Sequence, residues 1–246
     1  MLVNWLDTWL SITEQHDNIA MIQEPQLDWQ AARAPSRAPL SGLYVRLEPL
    51  DVARHGGDLW QALQGPDSDP LLWNYLPYGP FSERISFDAW LSTNQSSVDP
   101  LFFSVIDLAR QRAMGLLSLL RIAPKDGSIE IGHVAFGQVM QRTPGSTEAI
   151  WLLARLAMEE LGYRRLEWKC NALNNRSTRA ARRLGFVYEG LFRQHMVVKG
   201  RNRDTAWFSI LDKEWPRCRN AFERWLAPDN FDAKGRQKRR LEDLRK

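Results

Sequence analysis

Three apolar runs crowd the middle of the sequence and constrain its fold more than any other feature: PLFFSVIDL (Pro100 to Leu108), AMGLLSLLRI (Ala113 to Ile122) and SIEIGHVAF (Ser128 to Phe136). Each has strand length and is rich in large apolar and β-branched residues. Only the polar ARQR separates the first two, which is a hairpin connection, and the third run completes an antiparallel series. It leads into QRTPGSTEAI, residues 141 to 150, and then into a helix whose apolar stripe is Ala149, Ile150, Leu152, Leu153, Leu156, Ala157 and Leu161, with Gly162 as its stop. A sheet that feeds an amphipathic helix in this way must bury at least one face under helices, which predicts an α+β architecture.

The flanking segments extend this pattern. LYVRLEPL (Leu43 to Leu50) alternates as a strand and is followed by a helical stretch from Val52 to Leu63. GPDSDPLLWNYLPYGPFSER has no sustained period and reads as a loop leading into a helix over Ser82 to Leu91, with Ser82 as N-cap. Its Trp73, Tyr75, Tyr78 and Phe81 are candidate walls of a substrate site, or padding at the edge of the core. Downstream, RRLEWKC alternates Leu166, Trp168 and Cys170 as a strand, and NNRSTRAARRLGF gives a short helix ending at Gly185. Strands over Val187 to Val198 and Asp204 to Leu211 flank the turn KGRNRD, and EWPRCRNAFERWL closes as a helix. The expected organisation is an N-terminal extension over 1–40, one domain over 41–216, and a helix with a basic tail over 217–246. MLVNWLDTWL reads as a short amphipathic helix or extension, with Met21 as an alternative start.

Composition excludes several classes. With 246 residues, 44% of them apolar and 11 tryptophans, the chain can bury a sizeable core. Cys170 and Cys218 are too few for a disulfide framework, and no paired metal-ligand spacing occurs, so no metal is expected. No run approaches the roughly 20 apolar residues that cross a bilayer, and a cytoplasmic protein with no membrane partner is expected. The net charge of +4 is mild, and much of it lies in KGRQKRRLEDLRK, Lys234 to Lys246, which reads as a solvated helix end and not as a nucleic-acid site.

The polar corner QRTPGS carries the functional signal. A helix leaves its first backbone N–H groups unpaired, and a compact turn lets an anion approach them. Thr143 caps the helix with Pro144 at its first position, or Ser146 does. NNRS, Asn174 to Ser177, opens a second helix after the next strand, so two neighbouring strands deliver helix N-terminal donors to one end of the sheet. That arrangement suits a long, phosphate-bearing ligand.

IEIGHVAF, QRTPGSTEAIWLLARLAMEELGYRRLEWKCNALNNRSTRAARRLGFVYEG and GRNRDTAWFSILDKEWP together resemble the GNAT superfamily of acetyl-CoA-dependent N-acetyltransferases, in the branch similar to ribosomal-protein N-terminal acetyltransferases. The resemblance spans about Leu43 to Trp215. It implies a mixed, mostly antiparallel twisted sheet with helices on both faces and a central splay between strands. It also implies acetyl-CoA as co-substrate and a primary amine as acceptor, either a protein N-terminus or a small molecule, in a monomer or homodimer; edge strands near Phe192 to Val198 could pair between subunits. The family's pyrophosphate loop, Q/R-x-x-G-x-G/A, stands here as Gln141, Arg142, Thr143, Pro144, Gly145 and Ser146, so Pro144 replaces the first glycine and removes one donor. By resemblance these residues with Thr147, and the backbone of Val134, Ala135 and Phe136, bind the coenzyme. Asn174 and Ser177 match the positions that contact the pantetheine arm.

Many relatives place a tyrosine in that second helix to protonate the departing thiolate; Ala181 stands there, so Ser177 is the candidate. Glu130 is the candidate base, its eleven-residue offset to Gln141 matching the catalytic glutamate of histone-type relatives. A plain structural role, balancing a cross-strand arginine, is its alternative. His133 is the second choice of base, and strict alternation places it on the opposite face from Glu130. The rival reading of the whole chain is a non-catalytic acyl-CoA- or nucleotide-binding module with a basic docking tail.

Overall fold

In the computed structural model, which describes residues 26–246, the predicted meander is the centre of an eight-stranded sheet. The MLVNWLDTWL segment and Met21 lie outside the described residues. Within the unit formed by residues 31–246, the strands are β1 (Leu40–Ser41), β2 (Val45–Pro49), β3 (Leu101–Asp107), β4 (Arg112–Ala123), β5 (Ser128–Phe136), β6 (Arg165–Asn171), β7 (Val187–Val198) and β8 (Arg201–Leu211). Their spatial order is β1-β2-β3-β4-β5-β6-β8-β7, and every pairing is antiparallel except β5 with β6. That exception creates the site. β5 and β6 pair only over Ser128 to Glu130 and Arg165 to Glu167, after which both strands run on unpaired with each other. The sheet is thus mixed, mostly antiparallel, and splayed at its centre.

Helices cover both faces. α1 (Val52–Gln64) and α2 (Arg84–Gln95) bury Leu59, Leu63, Phe87 and Leu91 with Phe102, Leu116 and Ala135 of the sheet. α3 (Pro144–Arg155) and α4 (Asn175–Leu184) lie on the other face, where Gly145 meets Val45 and the α4 hydroxyl of Ser177 meets Trp168. A buried aliphatic side chain stabilises by about 1.5–3 kcal/mol, so these two layers supply most of the driving force.

Several boundaries differ from the sequence expectation. α2 starts at Arg84, not Ser82, and Glu83 occupies its N-cap without a side-chain hydrogen bond. The long helix after the polar corner is regular only to Arg155, and Leu156–Glu160 form a wider π-type turn before Gly162 adopts φ of 81°. β8 begins at Arg201 because Lys199 and Gly200, both at positive φ, make the whole hairpin turn.

The C-terminal stretch is built into this layer. α5 (Trp215–Leu226) buries Trp215, Cys218, Ala221, Phe222, Trp225 and Leu226, and α6 (Leu241–Leu244) buries Leu241 and Leu244. Arg245 donates to the carbonyl oxygens of Arg182 (3.0 Å) and Arg183 at the end of α4. Upstream of β1, the Ala/Pro/Arg-rich arm runs extended, with Ala32 and Arg33 donating their backbone N–H groups to Pro124 and Leu161.

Candidate active site

Both helices that open at the splay are capped as their sequences dictate. Thr143 is the α3 N-cap, its Oγ1 accepting from the Ser146 N–H at 3.4 Å, with Pro144 following at the first position. This settles the choice between Thr143 and Ser146. Asn174 caps α4, its Oδ1 accepting from the Ser177 N–H at 3.1 Å. Gly145 serves packing as well as access: a Cβ there would lie 2.9 Å from Val45 Cγ1, so the missing side chain lets α3 sit close on β2. Glu148 locks that contact. Its buried carboxylate accepts the backbone N–H groups of Leu43, Tyr44 and Val45 at 2.7, 2.7 and 2.8 Å.

Around these openings lie charged and polar groups able to meet a diphosphate. Arg142 is exposed and at φ of 62°. The Gln141 side chain donates to the Phe136 carbonyl at 3.0 Å, tying the loop to the end of β5. Thr147 accepts from Arg183 of α4 at 3.0 Å, which joins the two helices. Arg176, in the first turn of α4, pairs with Asp69 from the loop between α1 and α2, and Gln141 faces the same carboxylate. Burial alone would raise the Asp69 carboxyl, but the Leu71 N–H and Arg176 outweigh it and hold it below its ordinary value. A native carboxylate therefore already sits against both candidate phosphate-binding segments. Ser177 Oγ accepts from Trp168 Nε1 at 2.9 Å, which leaves the hydroxyl proton free to be donated. Ala181 is fully buried, so no larger acid takes its place.

The opposite face of the splay carries the titratable groups. Glu130 is 3% exposed and bonded to Arg121 at 2.6 Å and Lys169 at 3.1 Å. The Lys169 ammonium also meets Glu167 at 2.6 Å and sits 3.8 Å over the Trp207 ring. Burial would raise the Glu167 carboxyl, but hydrogen bonds from Lys169 and Arg165 win and lower it. The cross-strand arginine expected of Glu130 is present, and a buried lysine with it.

His133 departs from the alternation expected of it. It adopts φ of 52°, and the β4–β5 register slips there, from Ser118 opposite Gly132 to Leu116 opposite Ala135. This bulge turns the imidazole onto the face of Phe102, 5.1 Å between ring centroids, and of Glu130, whose Oε1 lies 3.5 Å from where a Gly132 Cβ would be. Glu130 and His133 therefore share a face. Burial, helped by Arg121 and Arg203, lowers His133 to about 4, so the ring is neutral near pH 7.

The aromatic loop divides into a core part and a facing part. Trp73 is 2% exposed, donates its indole N–H to Leu63 O, and packs edge-on against Tyr78, Phe81, Phe87 and Trp90; it braces the wall from behind. Phe81 packs into the same cluster. Tyr78 stacks on His133 with its hydroxyl 2.7 Å from Nδ1. Tyr75 crosses the splay to bond the Leu173 carbonyl at 3.1 Å, and Lys199 of the β7–β8 turn reaches the Trp73 carbonyl at 2.8 Å. The loop is thus tied to both neighbours of the gap.

A parallel pair that parts after three residues, flanked by two capped helix openings, is the decisive arrangement, and the known proteins agree with it. The acetyltransferase (GNAT) domain model matches residues 45–187. The chain belongs to the GNAT acetyltransferase family. A GCN5-related N-acetyltransferase from Brucella melitensis shares 46% identity, with 89% of this chain and 98% of that one covered and a TM-score of 0.85. A probable acetyltransferase of the GNAT family from Chromobacterium violaceum shares 43% over 78% of this chain and 96% of its own, with a TM-score of 0.72. The uncharacterized N-acetyltransferase p20 of Bacillus licheniformis is 28% identical over 151 residues, 60% of this chain and 84% of p20.

In this GNAT chain, sequence reasoning located both helix openings and Glu130 but missed Lys169, Asp69 with Arg176, and Arg203. Lys169 left one signal: in RRLEWKC it is a charge alternating with the buried Trp168 and Cys170. Among the described residues no cluster of His, Cys, Asp and Glu could hold a metal ion, and no helix is long and apolar enough to span a membrane.

Proposed function

We propose that this protein transfers the acetyl group of acetyl-CoA to a primary amine while both substrates are bound together. The observation that carries the reading is the splay between β5 and β6, with donors of α3 and α4 on one face and Glu130 and His133 on the other. The coenzyme's diphosphate would meet the N–H groups of Gly145, Ser146 and Thr147 together with Arg142, and its pantetheine arm would lie beside Asn174 and Ser177. Pro144 removes one donor, and Arg176 offers a compensating charge once Asp69 gives way.

The amine nitrogen attacks the thioester carbonyl, a C–N bond forms and the C–S bond breaks. One proton of the ammonium goes to Glu130, directly or through water; the departing thiolate takes its proton from Ser177, which is made good by the second proton that the attacking nitrogen releases as the amide forms. Backbone N–H groups at the Val134 to Phe136 bulge stabilise the oxyanion. Holding the two reactants side by side removes several kcal/mol of the barrier by itself. The resemblance, strongest in TEA, N-x-x-S and LGF-x-x-EG, is to the branch similar to ribosomal-protein N-terminal acetyltransferases, which makes a protein N-terminus one acceptor class beside small-molecule amines.

A binding-only module is the second reading, favoured by one observation: Glu130 is already engaged by two cations. Thiol release from acetyl-CoA in the presence of a panel of amines separates the readings, because a binding module titrates acetyl-CoA calorimetrically without releasing CoA. In an active enzyme, Glu130→Gln is expected to lower kcat about 10²- to 10⁴-fold with little change in acetyl-CoA affinity. An unaltered pH–rate profile in that variant would transfer the role to His133.

A further inference from the structure

The face of the sheet that meets the acceptor is unevenly charged. Arg121 is paired with Glu130, Lys169 with Glu130 and Glu167, and Arg165 with Glu167 and Glu189. Arg203 projects from the same face of β8 as Thr205 and Trp207, and it forms no ion pair among the described residues. Four cations thus stand against three carboxylates, and His133 beside them is neutral. Arg203 Nε is buried and has no hydrogen-bond partner, and the indole N–H of Trp207, two same-face positions along, is likewise buried and unpartnered. Buried donors are nearly always satisfied, and these two lack only an acceptor. The other polar groups nearby are spoken for: Thr205 Oγ1 bonds His195 Nδ1 at 3.0 Å, and Asp204, on the other side of the strand, accepts from Gln194 and Asn202. Arg203 is close enough to feel the charge of Glu130 and to help keep His133 neutral. A ligand anion placed there lies beside the groups that would handle the acceptor's proton.

Resting on the acetyl-transfer reading, we infer that the acceptor amine carries a carboxylate, and that Arg203 and the Trp207 indole bind it. Lys169 lies over the Trp207 ring face and does not occupy its N–H. The same excess of positive charge disfavours polyamines and aminoglycosides, whose extra ammonium groups would meet the uncompensated Arg203. The inference selects by chemistry between acceptors that the fold alone treats equally.

The test is CoA release from acetyl-CoA by the full chain with paired acceptors: a short peptide with an acidic second residue against its amide counterpart, a free amino acid against its carboxamide, and spermidine. The carboxylate member is expected to exceed its amide in kcat/KM by about tenfold or more in at least one pair, the size of one charged hydrogen bond. Whichever pair shows it identifies the source as peptide or free amino acid. Arg203→Gln should bring that ratio close to one, and Arg203→Lys should keep most of it, which separates charge recognition from a folding defect. Equal use of acid and amide, preference for spermidine, or a ratio unchanged in Arg203→Gln overturns the inference and leaves acetyl transfer standing. Absence of any turnover together with no calorimetric binding of acetyl-CoA overturns both.

Discussion

On the α3 and α4 side of the splay, the groups that face the gap come from short contiguous segments, QRTPGST and NNRS, and their positions follow from capping rules within a few residues of chain. On the α1 and α2 side, they come from β4, β5, β6, β8 and the 65–83 loop, held by ion pairs between residues far apart in sequence. The first side is backbone chemistry repeated at two helix starts. The second is a side-chain network whose members matter only in combination. On the proposed reading, the coenzyme site and the acceptor site would then be specified by different kinds of sequence information.

Substitutions can probe how far that contrast holds. The largest effect is expected from Glu148→Ala, because this carboxylate ties α3 to the start of β2: three backbone N–H groups would lose their acceptor, costing about 3 kcal/mol or more in a denaturant titration and, on the proposed reading, loosening acetyl-CoA binding with it. A loss under about 1 kcal/mol would show that local caps suffice to hold α3.

His133 should come next, on the α1 and α2 side. Burial lowers it to about 4 from an ordinary 6.5, so the unfolded chain takes up a proton that the folded one refuses. The stability this supplies is fully present above pH 6.5 and is lost as pH falls toward 4, amounting to about 1–2 kcal/mol between pH 7 and pH 5. His55 is also lowered by burial, so the quantity to compare is the pH dependence of wild type minus that of His133→Gln. Thr143→Ala should be smallest, about 1 kcal/mol, with a matching loss of acetyl-CoA affinity if the cap shapes the opening.

The same contrast explains what could be read in advance. Helix openings were legible because Thr-Pro-Gly-Ser and Asn-Asn-Arg-Ser satisfy orphan N–H groups by rules that need no tertiary context. The face of Glu130 followed from a regular strand, whereas the face of His133 did not, since a single residue at φ of 52° breaks the period that the prediction relied on. Trp73 illustrates a different limit: an aromatic in a patternless loop carries no mark that it will sit behind the wall and not on it. The Lys169 ammonium and the lone Arg203 became meaningful only once partners from other strands were known.

Arg245, whose guanidinium caps the carbonyl end of α4, gives the final residues of the chain a mechanical role. α4 is a rod of ten residues, ~15 Å long, with the tail clamped to one tip and Asn174 at the other. The tail thus closes the carbonyl end of the helix whose other end opens at the splay.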